Sequence, residues 1–123
     1  MDQVSNRLFI YGTLKRGGRL NGHLEGQKFL GDAKTSKNYR LYKIGWYPGL
    51  KRSEEGKQIF GELWEVDDKC LQNLDRVEGA PGLFKRDFVE IADSDEKGVE
   101  SYFYNGDITK CQDVGTCWPV GGK

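Results

Sequence analysis

A chain of 123 residues holding 19 basic and 19 acidic side chains has room for one core and no net field to gather nucleic-acid phosphates, which favours small uncharged or zwitterionic partners. Charged residues make up 31% and aromatic residues 12%, at a mean hydropathy of −0.70, a balance of solvated surface and bulky interior that excludes a disordered chain. No apolar run approaches the roughly 20 residues of a membrane helix, and Met1 to Asn6 lacks the basic start and apolar centre of a secretory leader, so a cytoplasmic setting without membrane partners is expected.

In chain order, Arg7 to Tyr11 is rich in β-favouring side chains and stops at Gly12, which predicts a strand ending in a turn. Lys15 to Asn21 is polar and carries the Gly17-Gly18 pair, so it reads as a loop, with a short helical turn following over Leu20 to Leu24. Further strands are expected over Gln27 to Thr35, Tyr39 to Ile44, Gln58 to Val66, Phe84 to Ile91 and Val99 to Tyr104. Gly31, Gly61 and Gly98 fall where bulges or bends curve a sheet. One helix is legible between Asp67 as N-cap and Gly79 as the left-handed residue past its end, with Asp68 in its positive first turn. Gly115 to Lys123 reads as a loosely ordered tail, and residues 1–123 as one domain. Cys70, Cys111 and Cys117 are odd in number and lack CxxC spacing, and His23 is the one histidine, so neither a disulfide framework nor a metal site is expected.

Two features of the sequence carry chemistry. Leu71, Leu74 and Glu78 share one helix face at i, i+3, i+7 spacing, which sets a carboxylate at the end of an apolar stripe and at the negative pole of the helix. Burial and the helix end both disfavour its charge, raising its pKa toward the range of a proton shuttle at neutral pH. The competing reading is that Glu78 tips into solvent or pairs with Arg76 or Arg86. The second feature is Gly12, Thr13 and Leu14, whose N–H groups directly follow a strand and can form a nest for a developing oxyanion. The loop lacks GxxxxGK[ST] spacing, so a P-loop is excluded.

Tyr11-Gly12-Thr13-Leu14-Lys15 with Gly17 and Asn21, Tyr47-Pro48-Gly49-Leu50, Glu78-Gly79, Arg86 and Tyr102-Phe103-Tyr104 together resemble the gamma-glutamylcyclotransferase-like family over nearly the whole chain. The Tyr-Gly-Thr-Leu opening is most similar to the gamma-glutamylamine branch, although Leu20 stands where the family often has proline and Phe84 where it often has tyrosine. The resemblance implies an α+β fold, a small mixed β-barrel with flanking short helices. It also implies a cofactor-independent reaction in which the substrate's α-amino group attacks its own γ-carbonyl, releasing an amine and 5-oxoproline. Carried over residue by residue, it makes Glu78 the catalytic acid–base and assigns substrate binding to Tyr11, Gly12, Thr13, Leu14, Asn21 and Tyr104. Strand alternation places Tyr102 on the same face as Tyr104. Arg86 reads as a substrate anchor or a surface ion pair, His23 likewise as a contact or a bystander, and Trp46, Tyr47 and Trp64 as pocket walls or core. Two other classes remain: a silent module that binds a γ-glutamyl or similar carboxylate, and a nucleic-acid-binding barrel suggested by Lys15, Arg16 and Arg19, which the balanced charge disfavours.

Overall fold

The computed structural model describes residues 6–18, 20–45, 47–94 and 98–118. In chain order these form β1 (Asn6–Ile10), a 3₁₀ turn (Asn21–Leu24), β2 (Lys28–Lys34), β3 (Tyr39–Ile44), β4 (Tyr47–Arg52), β5 (Phe60–Val66), α1 (Asp68–Val77), β6 (Phe84–Phe88), β7 (Glu100–Tyr104) and β8 (Gln112–Asp113). The strands make one mixed sheet in the order β2-β5-β1-β7-β4-β3-β8, with β6 also paired to β7, and the sheet curls into a half-barrel around which α1 packs. No helix among the described residues is long and apolar enough to cross a membrane.

The pairing of β7 determines where the sheet opens. On one edge β7 runs antiparallel to β6 from Phe84↔Tyr104 to Phe88↔Glu100. Its other edge is shared: β1 pairs with its start in parallel at Leu8↔Glu100, and β4 pairs with its end in parallel at Leu50↔Phe103. The chain leaves β1 just as β4 takes its place, so the turn at Gly12 to Leu14 stands at the parting of two strands. Curvature is helped by the bulge between Phe29 and Gly31, where Gly31 adopts φ +140, a value that L side chains rarely adopt. Gly61, expected at a bend, serves instead as a point of close approach. A Cβ there would lie 2.4 Å from the Ile10 carbonyl oxygen and 2.7 Å from the Phe9 ring. Gly98 lies before β7, at φ +82, rather than within a strand.

Period-two alternation along β1 divides the interior into two clusters. Leu8 and Ile10 join Leu14, Leu24, Trp64, Leu71, Leu74 and Tyr102 on the helix side. Phe9 and Tyr11 join Tyr39, Leu41, Leu50, Ile59 and Phe103. The helix forms as its sequence dictates: Asp67 in extended backbone accepts a hydrogen bond from the Cys70 N–H at 2.7 Å, and Leu71 and Leu74 are buried. Burying each such leucine contributes about 1.5 to 3 kcal/mol. Past the end of α1, Gly79 takes φ +67.

The predicted strands all form: Tyr39–Ile44 with its expected bounds, the first shifted one residue earlier, and the others trimmed by one to three residues, although Ile91 makes only an isolated bridge with Thr35 rather than extending β6. β4 and β8 have no counterpart in the sequence reading. Pro48 and Gly49 obscure β4, but its register with β3 is unbroken from Tyr39↔Arg52 to Ile44↔Tyr47. The tail expected to lie loosely is held over its first four residues: Phe60 N–H donates to the Thr116 carbonyl at 2.8 Å, the Lys15 ammonium to that of Trp118, and Trp118 packs on the second cluster. Arg19, Trp46 and the last five residues of that tail lie outside the described residues.

Candidate active site

Where β1 ends, the turn spends all three of its carbonyls on its own loop. Gly12 O accepts from the Lys15 N–H at 3.0 Å, Thr13 O from the Leu20 N–H at 3.0 Å, and Leu14 O from Asn21 Nδ2 at 2.9 Å. The N–H groups of Gly12, Thr13 and Leu14 donate to no acceptor among the described residues, and all three residues line a cavity of about 220 Å³. Unused backbone donors grouped at a strand end are the kind of group that can hold an anion.

The loop is held in that shape from β5. Glu62 is only 7% exposed and accepts from the Arg16 N–H at 3.0 Å, Arg16 Nε at 3.0 Å and Trp64 Nε1 at 3.1 Å. Burial alone would raise its pKa, but the Arg16 backbone, Trp64 and the Arg16 side chain hold it below the ordinary carboxylate value. The Arg16 guanidinium lies 3.8 Å from the centre of the Phe29 ring and 3.3 Å from Asp32 Oδ1. Sequence reasoning missed Glu62. The available signal was a carboxylate on the same strand face as buried Trp64, a position that demands a buried partner.

Glu78 lines the same cavity. It is the C-cap of α1, its N–H bonded to the Leu74 carbonyl at 2.9 Å. Burial pushes its carboxyl up to about 7. Neither of the cations considered from sequence pairs with it: Arg86 is taken by Asp75 at 3.2 Å and Glu100 at 3.7 Å, and Arg76 is exposed. Tyr102 lines the cavity too, its hydroxyl donating to Asp75 Oδ1 at 2.7 Å, and burial followed by that bond keeps the phenol protonated. Asp75 therefore ties the cavity wall to the ion pair behind it.

The remaining expected residues divide. Tyr11 lines the cavity, but its side chain packs in the second cluster and its hydroxyl is committed, donating to the Tyr102 carbonyl at 2.5 Å and accepting from the Leu50 N–H at 3.1 Å. That hydroxyl stitches β7 to β4 where the sheet parts. Asn21 and Tyr104 are not in the lining. Asn21 braces the turn through Leu14, and Tyr104 packs edge-on against Phe84 at 5.6 Å and against Gly49. Tyr47 lines the cavity, whereas Trp64 packs edge-on against Phe29 at 5.5 Å and His23 is exposed beside Asn73. Among the described residues, no group of three or more His, Cys, Asp or Glu converges to hold a metal ion.

The stitch through Tyr11 gives a direct test. Tyr11→Phe leaves the buried Leu50 N–H without its partner and is expected to lower stability by about 1 to 3 kcal/mol, read as a lower urea midpoint at unchanged slope. Restored stability on additionally removing the ring is not expected, because the ring fills the second cluster.

The chain and its curled mixed sheet match known proteins. The profile of the family described as gamma-glutamyl cyclotransferase, AIG2-like matches residues 8–119. A gamma-glutamylaminecyclotransferase of Bos taurus is 34% identical over 115 residues, covering 84% of this chain and 68% of its own. A Methanocaldococcus jannaschii protein, provisionally named a gamma-glutamylcyclotransferase, is 34% identical over 98 residues, covering 79% of this chain and 81% of its own. Among solved structures, an AIG2-like protein from Mus musculus superposes with a TM-score of 0.74 at 25% identity, covering 86% of this chain and 81% of that one. The chain belongs to the AIG2-like gamma-glutamyl cyclotransferase family.

Proposed function

We propose that this protein is a cofactor-independent gamma-glutamylamine cyclotransferase, acting in the cytoplasm on a small γ-glutamyl substrate without nucleic-acid or membrane partners. The observation that carries the reading is the largely buried Glu78, without an ion-pair partner among the described residues, sharing one cavity with the N–H groups of Gly12, Thr13 and Leu14 that those residues leave unused. The Tyr11 to Leu14 motif and the bovine relative's name support the amine branch.

In this mechanism the substrate's α-ammonium gives a proton to the Glu78 carboxylate, and the freed amine attacks the γ-carbonyl carbon. The oxyanion that forms is met by the turn's N–H groups, each well-aimed donor lowering the barrier by about 3 kcal/mol. Glu78 then returns the proton to the departing nitrogen as its bond to carbon breaks, and the second proton that the attacking nitrogen sheds on becoming the lactam N–H also passes by way of Glu78 to the freed amine, so 5-oxoproline and the amine as its ammonium leave and no water is consumed. Nucleophile and electrophile belong to one molecule, so holding its folded conformer supplies much of a proximity advantage of about 7 to 11 kcal/mol. Tyr102 and Tyr11, protonated throughout the working range, leave Glu78 as the titrating group of the cavity.

The test is to incubate the protein with a panel of γ-glutamyl amines and amino acids and measure 5-oxoproline by mass spectrometry. Catalytic release from the amines is expected. A rise in melting temperature without any 5-oxoproline would instead identify a module that binds γ-glutamyl groups and leaves them intact.

A further inference from the structure

The last described residues join the two ends of the sheet. β8 lies at one end of the strand order, paired to β3 through Tyr42↔Asp113, and from there the chain crosses to β5, one strand short of the other end. The Val114 N–H donates to the Leu41 carbonyl at 2.9 Å, and two residues on, the Thr116 carbonyl accepts from the N–H of Phe60, the first residue of β5, at 2.8 Å. Val114 and Trp118 pack on the second core cluster, which also holds Tyr11, the residue before the turn.

The segment then reaches the turn itself. Lys15 does not line the cavity; its ammonium donates to the Trp118 carbonyl and lies 3.9 Å from Cys117 Sγ. The backbone of the same residue closes the turn, its N–H donating to the Gly12 carbonyl at 3.0 Å. One residue thus joins the turn to a carbonyl 103 positions away. Its neighbour Arg16 is held separately, by Glu62, two residues along β5 from Phe60. Two adjacent residues with separate anchors leave the turn little freedom to re-aim its N–H groups, and donors aimed before charge develops are the ones that lower a barrier.

We propose that Lys15 is a positioning residue for the oxyanion turn, and that residues 114–118 are the anchor through which it acts. This rests on the cyclotransferase reading and adds to it a part of the chain that does not touch the cavity.

The test is a set of full-length variants assayed for 5-oxoproline release. Lys15→Met keeps the length of the side chain and removes the donor; it is expected to lower kcat about tenfold and to change KM less than about twofold, with the acid limb near 7 still in place. Lys15→Arg, which can still donate to the carbonyl, is expected to recover most of the loss. Trp118→Ala removes the packing that seats that carbonyl and is expected to lower kcat severalfold. Lys15→Met combined with Trp118→Ala is expected to lose no more than the larger single loss, because both act through one contact. Wild-type kcat in folded Lys15→Met, or losses that multiply in the double variant, overturn the proposal. Hydrogen exchange followed by NMR needs no turnover. The Lys15 and Leu20 N–H groups, which donate to the Gly12 and Thr13 carbonyls, are expected to exchange about tenfold faster in Lys15→Met and in Trp118→Ala, while α1 keeps its protection. Unchanged exchange at both amides overturns the anchor whatever the activity. If the wild-type protein releases no 5-oxoproline, the cyclotransferase reading falls, and the exchange rates still decide whether this segment holds the turn.

Discussion

Glu78→Gln is expected to lower kcat by about 10² to 10⁴ while leaving the fold intact. The amide matches the carboxyl in shape and keeps the C-cap backbone bond to Leu74, but it cannot accept a proton from the α-ammonium. Since burial pushes the native carboxyl up to about 7, wild-type kcat/KM is expected to fall about tenfold per pH unit on the acid side of that value, and this limb is absent from the residual activity of the variant. In kcat the limb is expected at lower pH, because a bound ammonium beside Glu78 favours its charged form. Unchanged turnover in the variant, with a folded protein by circular dichroism, removes the proposed mechanism.

The same carboxyl makes a second, independent signature in stability. Its folded value near 7 lies above the ordinary 4.5, so the folded state holds the proton more tightly than the unfolded chain. That contribution is fully present below about 4.5, is lost as pH rises between the two values, and stays lost above about 7. Glu78→Gln escapes the loss. Its melting temperature is therefore expected to match wild type near pH 4.5 and exceed it at pH 8, the pattern of a residue retained against stability.

The helix and Glu78 were legible in sequence because the signals that define them are local. A capping aspartate, two leucines and a terminal glycine fix the ends and the buried stripe, and the misplaced carboxylate shows against that frame. The first strand and its turn were legible for the same reason. What escaped depends on distant pairing. β4 carries Pro48 and Gly49, which local propensity reads as breaks; Gly49 is required because a Cβ there would lie 2.7 Å from Tyr104 Cβ, across the sheet. Tyr104 and Asn21 were placed at the substrate by motif, but neither is among the residues that line the cavity, since only pairing of β7 with β4 and β6 determines which tyrosine meets it. Glu62 escaped for a related reason: its partner, Arg16, is 46 residues away.

The loop that this distant clamp holds is also where a single methyl group is expected to do the most damage outside the carboxylate. A Cβ at Gly18 would lie 2.3 Å from the Thr13 carbonyl oxygen and 2.9 Å from that of Lys15, both backbone atoms, so the turn itself must move. Thr13 O is the acceptor of the Leu20 N–H bond that keeps the turn's donors free, and Gly18 N–H is bonded to Lys15 O at 2.8 Å. Loss of one aimed oxyanion donor is associated with about 10² to 10³ in kcat. Gly18→Ala is therefore expected to lower kcat by about 10² with the acid limb still near 7, since Glu78 is untouched. Gly17→Ala is the control: its φ of +81 adds strain of about 1 kcal/mol, but a Cβ there meets nothing within 4 Å, so the turn keeps its place. Equal losses in the two variants would trace the effect to loop strain and remove the Gly12 to Leu14 donors from the mechanism.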